Sequence, residues 1–360
     1  MALIAQRVRG FHDRLPEDAA KDQAIEAAAR EVFARYGFAE VRLPAVERTE
    51  LFVRSIGEET DIVGKEMYRF VDKGGDDLCL RPEGTAGAMR AYLQATGGKG
   101  GETRWFYVAD MFRRERPQKG RLRQFRQVGC ELFGEASPSA DVEVLAAAFR
   151  ILEALPLQGA IRLELNSLGC PACRPRYREA LQAFLSGIKD RLCADCQKRS
   201  VHNPLRVLDC KNEACQAALG PAPEILAYLC EDCAAHFAAV RAGLDALGIG
   251  YRVNPRIVRG LDYYVRTAFE FVSDALGAQA TVLAGGRYDG LARALGGPDV
   301  PAVGFAAGVE RLALLMPDEP PPRPDVAIVA VGEKALAASY ALAEEVRRRG
   351  KACVHCHGGS

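Results

Sequence analysis

No apolar run in this chain approaches the roughly 18 to 20 residues that a membrane-spanning helix needs. Residues 1–16 carry Arg7, Arg9, His12, Asp13 and Arg14 without the apolar stretch of a secretory leader. The two absences together lead us to expect a soluble, cytoplasmic protein with no membrane partner. GxxxxGK[ST] and GxGxxG are both missing, so neither a P-loop nor the dinucleotide fingerprint is available to handle phosphate. Repeats at solenoid or propeller periods are also missing. Charge of one sign is not in excess, with 48 Lys+Arg against 47 Asp+Glu. That balance does not exclude a nucleic-acid partner, because local patches rather than totals steer polyanions. What the chain has is 49% hydrophobic residues over 360 positions, enough for more than one core, which rules out disordered and fibrous classes. It also has twelve cysteines. Clustered thiols in a reducing compartment are more often metal ligands than disulfides.

Apolar spacing predicts a helix over residues 21–36 stopped by Gly37, then a strand over 38–43 closed by Pro44. Residues 104–112 and 124–133 are rich in aromatic and β-branched side chains and read as two antiparallel strands joined by the loop 113–123. A helix over 143–155 and a strand over 161–165 follow. Residues 256–258, 268–272 and 280–284 read as strands, and 304–316 as the start of a helix. The expected fold class is α+β, an antiparallel sheet flanked by helices, interrupted by a cysteine-rich insertion. Pro320, Pro321, Pro322 and Pro324 mark a stiff linker. Beyond it, one strand (325–331), one helix (333–349) and a second strand from 351 make a partial α/β domain too small to bury a core alone. The expected organisation is a catalytic core over 1–168, the insertion over 169–240, a return to the core over 241–318, the linker over 319–324 and the partial domain over 325–360.

Chemistry concentrates in a few places. Arg113, Arg114, Arg116, Lys119, Arg121 and Arg123 crowd the loop 113–123, with Glu115 as its only acid, and guanidinium forks suit phosphate oxygens. On the returning strand Gln127 and Glu131 are four residues apart and share a face. RPEGTAG (81–87) sets a carboxylate and a hydroxyl, Glu83 and Thr85, between glycines at the start of a helix. RGLDYY (259–264) packs a guanidinium, a carboxylate and two phenols into a short loop, an inventory that would grip a small zwitterion. GFAAGVERL (304–312) puts Arg311 at the start of a helix. Each segment also has a bland reading, as a solvated charge run, a helix-capping turn or an exposed arginine.

In combination these segments resemble the class II aminoacyl-tRNA synthetases, and the match narrows to the histidyl-tRNA synthetase family. YGFAEVRLP looks like that class's dimer-interface motif, FRRERPQKGRLRQFRQVGCELFG like its second motif and GFAAGVERL like its third, while RGLDYY and AGGRYDGL resemble the two histidine signatures. The resemblance implies histidine activation with ATP and Mg2+, transfer of histidine to tRNA(His), and a homodimer. Carried over by residue, it implies that Arg113 contacts the ATP α-phosphate and the amino-acid carboxylate. Arg311 would hold the γ-phosphate end, with Glu115 and Arg121 supporting the nucleotide. Glu83, Thr85 and Gln127 would receive the substrate α-amino group, and Glu131 and Tyr264 the two imidazole nitrogens. Tyr263 and Tyr288 would wall the histidine pocket, and Arg259 within it would stabilise charge growing on the α-phosphate. The partial domain at 325–360 would correspond to the start of the family's anticodon-binding domain; were the protein to consist of this chain alone, tRNA charging should suffer more than adenylate formation. A binding-only alternative, the histidine-sensing regulatory paralogue of ATP phosphoribosyltransferase, would be expected to lose catalytic arginines, yet Arg113, Arg259 and Arg311 are all present.

Eight of the twelve cysteines fall in the insertion. Cys170-x2-Cys173, nineteen residues, then Cys193-x2-Cys196 has the spacing of a four-thiolate zinc ribbon, and Cys210-x4-Cys215 with Cys230-x2-Cys233 forms a second set. At least one structural Zn2+ is expected, with the pairing of ligands left open. The family's commonest pattern needs no metal here, so this expectation rests on spacing alone.

Overall fold

The computed structural model describes residues 6–57, 60–258, 263–318 and 323–356. Helix α1 (Pro16–Arg35) leads through Gly37, at φ +74°, into the short strand β1 (Ala39–Glu40). A small antiparallel sheet of β2 (Val46–Arg48), β3 (Tyr68–Val71) and β4 (Asp77–Leu80), with β4 central, carries α2 (Thr49–Ile56) and hands the chain to α3 (Thr85–Thr96). The long hairpin of β5 (Thr103–Phe112) and β6 (Gln124–Phe133) follows, then α4 (Pro138–Glu153) and β7 (Ile161–Ser167). The insertion contributes α5 (Arg174–Gly187), α6 (Ala194–His202) and α7 (Glu213–Ala218), and α8 (Glu231–Ala246) returns to the sheet. Strands β8 (Tyr251–Val253), β9 (Val265–Ser273) and β10 (Thr281–Arg287), helix α9 (Leu291–Ala294), strand β11 (Ala302–Gly308) and helix α10 (Val309–Ala313) complete this part.

The main sheet has eight strands in the order β1-β5-β6-β11-β10-β9-β7-β8. Its edge pairs, β1 with β5 and β7 with β8, are parallel, and every pair between them is antiparallel. Because side chains alternate along a strand, each long strand has a core face and an open face. Val128, Cys130 and Leu132 of β6, Val303, Phe305 and Ala307 of β11, and Phe269 and Phe271 of β9 are buried against Phe33, Val144, Leu145, Ile151, Val240 and Leu244 of α1, α4 and α8. The interleaved residues Gln127, Glu131, Gly304, Ala306, Gly308 and Glu270 therefore belong to the opposite face. That alternation gives the sheet a chemical side.

Two compact units divide the chain, Met1–Arg14 with Lys21–Pro317, and Leu15–Ala20 with Asp318–Ser360. In the second, β12 (Val326–Val329) pairs in parallel with β13 (Cys353–Cys356), and α11 (Glu333–Arg348) joins them. Within it, Ser339 Oγ lies 2.8 Å from His355 Nε2. Val329, Leu336, Tyr340, Leu342 and Val354 remain exposed, as expected of so few elements.

Several sequence expectations need correction. Residues 256–258 are not a strand, and the pairing there is made earlier by β8. Residues 302–308 are a strand and not the start of a helix, so only Val309–Ala313 is helical. The glycines and alanines of that segment suit a strand packed tightly between neighbours, a use of small residues that periodicity reads as helix. The strand expected over 38–43 shrinks to Ala39–Glu40, while the one expected over 280–284 reaches Arg287.

Arg287 ends β10 fully buried, with Nε 3.0 Å from Asp141 Oδ2 and further bonds to Asp289 and to the carbonyls of Glu135 and Ser137. Burial pushes the Asp141 carboxyl up, but His236 and Arg287 outweigh it and hold the group below its ordinary value. Removing one partner would strand the other charge in the interior. Arg287→Met should therefore lower unfolding free energy by about 3–5 kcal/mol in urea denaturation; a loss below about 1 kcal/mol would mean the pair contributes no more than an exposed one.

Candidate active site

Glu131 is the only charged side chain of β6 with no exposed surface at all. Its carboxyl accepts hydrogen bonds from Thr85 Oγ1 at 2.7 Å, from the Tyr107 hydroxyl at 3.3 Å, and from Tyr288. Burial pushes its pKa up to about 8 despite these hydroxyl donors. Room for the carboxyl exists because β11 carries Gly304 opposite it, where any Cβ would collide with Glu131 Oε2. In the same way Gly129, paired across from Tyr107, leaves the room the phenol occupies, which a Cβ there would fill. Tyr263, Tyr264 and Tyr288 close the pocket, with ring centroids 4.7 Å apart for Tyr263 and Tyr264 and 5.6 Å for Tyr263 and Tyr288. Glu83 is also buried, and burial raises its pKa. Its two oxygens accept the N–H groups of Thr85 at 2.7 Å and Ala86 at 2.9 Å, so it caps α3 as well as facing the site.

Beside this pocket lies a cleft of about 520 Å³ whose walls include Arg113, Glu115, Arg121, Gln127 and Arg311 as well as Glu83, Thr85, Tyr263 and Tyr264. Arg113 is anchored by Nε to the carbonyl of Pro82 at 2.8 Å and lies over the Phe125 ring at 5.2 Å. Glu115 reaches both Arg121 Nε at 3.0 Å and Arg113 Nη1 at 3.8 Å. Arg311 donates to the carbonyls of Gly120 and Thr281 at 2.9 and 2.8 Å, and burial lowers its pKa. Gln127 Oε1 is buried with no partner, a polar atom aimed at something the protein itself does not supply. The loop bearing the arginines is fixed at its root, where Arg113 N–H donates to the carbonyl of Arg123, and Arg123 N–H to that of Gly10. These main-chain bonds fix the root of the cation-bearing loop.

The structure brings Arg113, Glu115, Arg121, Gln127 and Arg311 to the cleft and Glu131, Thr85 and Tyr288 to the pocket, while Arg259 lies outside the described residues. Sequence reading missed Tyr107, whose signal was the isolated Gly129 in the paired strand. It also missed Glu66 and Glu270, and the insertion residues Arg199, Arg206 and Lys211, all of which line the cleft.

The cysteines sort differently from their order along the chain. Cys170, Cys173, Cys230 and Cys233 form one cluster and Cys193, Cys196, Cys210 and Cys215 another, with all ligand atoms of a cluster within 4.8 Å of one another. Along the chain the outer four enclose the inner four, so the grouping that spacing left open is nested and not consecutive. The cause is topological: the two ends of the insertion meet each other, and so do its two middle segments.

A family model described as histidyl-tRNA synthetase matches residues 10–312. The histidine–tRNA ligase of Solidesulfovibrio magneticus is 52% identical over 346 residues, covering 96% of this chain and 82% of that protein. Apo S. aureus histidyl-tRNA synthetase superposes with a TM-score of 0.79 at 35% identity, covering 99% of this chain and 86% of that one. A Bacillus halodurans protein described as ATP phosphoribosyltransferase regulatory subunit/histidyl-tRNA synthetase gives 0.72 at 21% identity over 99% and 93%, a likeness of fold alone. Fold and relatives together make this enzyme an aminoacyl-tRNA synthetase. Within that class, the chain belongs to the histidyl-tRNA synthetase family.

The titration of Glu131 has a signed consequence. The folded chain holds a proton that the unfolded chain releases near the ordinary value of 4.5, so this carboxyl destabilises the ligand-free fold increasingly as pH rises from there through about 8. Glu131→Gln should raise the Tm of the ligand-free chain relative to wild type above about pH 8 while cutting histidine-dependent activity by about 10²-fold or more. Equal Tm values at alkaline pH would show the carboxyl is not held as described.

Proposed function

We propose that this ligase works in two steps across the pocket and the cleft. The histidine carboxylate attacks the α-phosphorus of ATP, giving histidyl-adenylate and pyrophosphate, and the terminal ribose hydroxyl of tRNA(His) then takes the histidyl group and releases AMP. No side-chain nucleophile is needed, since the attacking carboxylate is already ionised; the rate comes from alignment and charge neutralisation. The observation that carries the reading is a buried carboxyl, Glu131, opening beside a cleft lined by Arg113, Arg121 and Arg311.

In this reading the imidazole N–H donates to Glu131 and the other ring nitrogen accepts from Tyr264. Any amino acid without that pair of ring nitrogens leaves buried polar groups unmatched, which is the source of selectivity. Gln127, Thr85 and the outer face of Glu83 receive the α-amino group. Arg113 bridges the substrate carboxylate and the α-phosphate, Arg311 holds the far phosphate, and Glu115 orients Arg113 and Arg121. Arg259 neutralises charge developing at the α-phosphate. Mg2+ fits the hard oxygen donors Glu66 and Glu270 of the cleft and would supply charge neutralisation to the polyphosphate. We assign residues 325–360 to the start of the family's anticodon-binding domain, and we propose a homodimer through the segment around β1.

The relatives at about half identity support the ligase over the regulatory paralogue, whose likeness is confined to the fold. Histidine-dependent ATP–pyrophosphate exchange tests the assignment. Arg113→Ala and Arg259→Ala should each reduce exchange by about 10²–10³-fold with histidine binding largely kept for Arg259→Ala. Histidine binding without exchange in the wild-type chain would contradict catalysis and favour a sensor.

A further inference from the structure

The eight insertion cysteines take no part in this chemistry, yet they gather into two groups of four. We infer that the insertion binds two zinc ions as closed tetrathiolate sites, one at Cys170, Cys173, Cys230 and Cys233 and one at Cys193, Cys196, Cys210 and Cys215.

The sulfur geometry decides between the alternatives. Four sulfurs about 2.3 Å from a central Zn2+ at tetrahedral angles stand about 3.8 Å apart. The Cys170–Cys173, Cys170–Cys230 and Cys193–Cys210 sulfur pairs stand 3.6, 3.9 and 3.9 Å apart. A disulfide would need about 2.05 Å, and all eight cysteines are free. Unrelated buried thiols have no reason to converge in fours, since each would pack better against carbon.

The surroundings suit thiolates. Cys230 N–H donates to Cys173 Sγ at 3.1 Å, and in the other cluster Cys193 N–H donates to Cys215 Sγ at 3.0 Å. Asn212 N–H approaches Cys210 Sγ at 3.5 Å. Such donors stabilise coordinated sulfur and fix its lone pairs. Cys173, Cys193 and Cys230 are also the N-cap residues immediately before α5, α6 and α8. Five of the eight are buried, so neither cluster leaves an open position for a substrate, and the role is structural.

The insertion needs such staples. Its own core is a short set of side chains, chiefly Tyr177, Leu181, Leu185, Leu192, Val207, Leu208, Leu219 and Ile225. The outer site closes its root, where Gly169 accepts from Arg266 N–H at 2.8 Å. The inner site holds the strip that carries Arg199 and Arg206, paired with Asp61 at 3.5 and 3.8 Å on the cleft wall.

Metal analysis of the purified full chain should find two zinc ions per chain, and reconstitution with Co2+ should give the thiolate charge-transfer bands of tetrahedral sulfur ligation. Paired substitutions read the nesting. Cys170→Ser with Cys230→Ser should leave one zinc, Cys193→Ser with Cys210→Ser should leave one, and Cys170→Ser with Cys193→Ser should leave none. Consecutive grouping gives the reverse, none, none and one, and would overturn the assignment. For a variant that does not fold, stepwise zinc release from the wild-type chain by a mercurial reagent is the second readout, with two ions leaving as eight thiols react. A wild-type chain free of zinc, or one whose cysteines are disulfide-bonded by mass, would also overturn it. Pyrophosphate exchange on the same sample keeps this result separate from the catalytic reading.

Discussion

The arrangement of the catalytic face depends on one uncomfortable group, a carboxyl placed where water cannot reach it. Glu131 has no exposed surface, and its environment is built around that fact: a glycine opposite on β11, hydroxyls from α3, β5 and the β10–α9 turn, and aromatic walls. Burying an acid costs free energy that the fold must offset elsewhere. Below the raised pKa it sits protonated, and in the proposed function a ligand N–H would convert the penalty into recognition. On that proposal, discrimination between amino acids would come from the cost of leaving that group unmatched, which is larger than any gain from shape alone.

Rigid supply of charge is the second half of the account. Arg113 uses one guanidinium nitrogen and Arg311 two to grip backbone carbonyls, and both arginines line the cleft. Arginine serves this double duty because its donors are arrayed in a plane. The main-chain anchors Arg113–Arg123 and Arg123–Gly10 hold the root of the loop that carries these cations. Mutual repulsion there is tolerated because Glu115 lies between Arg113 and Arg121.

Much of this was legible in the sequence. The 104–112 and 124–133 strands were visible because their apolar residues are dense and their loop is strongly basic, and the placing of Gln127 and Glu131 on one face followed from the strand period. Legibility failed where tertiary context overrides local preference. Residues 302–308 look helical by composition, yet glycine and alanine are there to let Glu131 and β6 approach. Tyr107 was invisible because nothing local marks a phenol within an aromatic strand as functional; only the glycine paired with it does. The cysteine pairs were correct as pairs, but which pairs meet depends on how the insertion folds back, and spacing along a chain carries no such information. The insertion arginines that reach the cleft were missed for the same reason.

The most direct test of the central claim is the proton balance of histidine binding, measured by isothermal titration near pH 7 in buffers of different ionisation enthalpy. If Glu131 holds a proton in the free enzyme and accepts the imidazole N–H when histidine binds, a proton is released, and the apparent enthalpy will depend on the buffer. An enthalpy independent of buffer, with binding intact, would mean the carboxyl does not change its proton on recognition and would contradict the account.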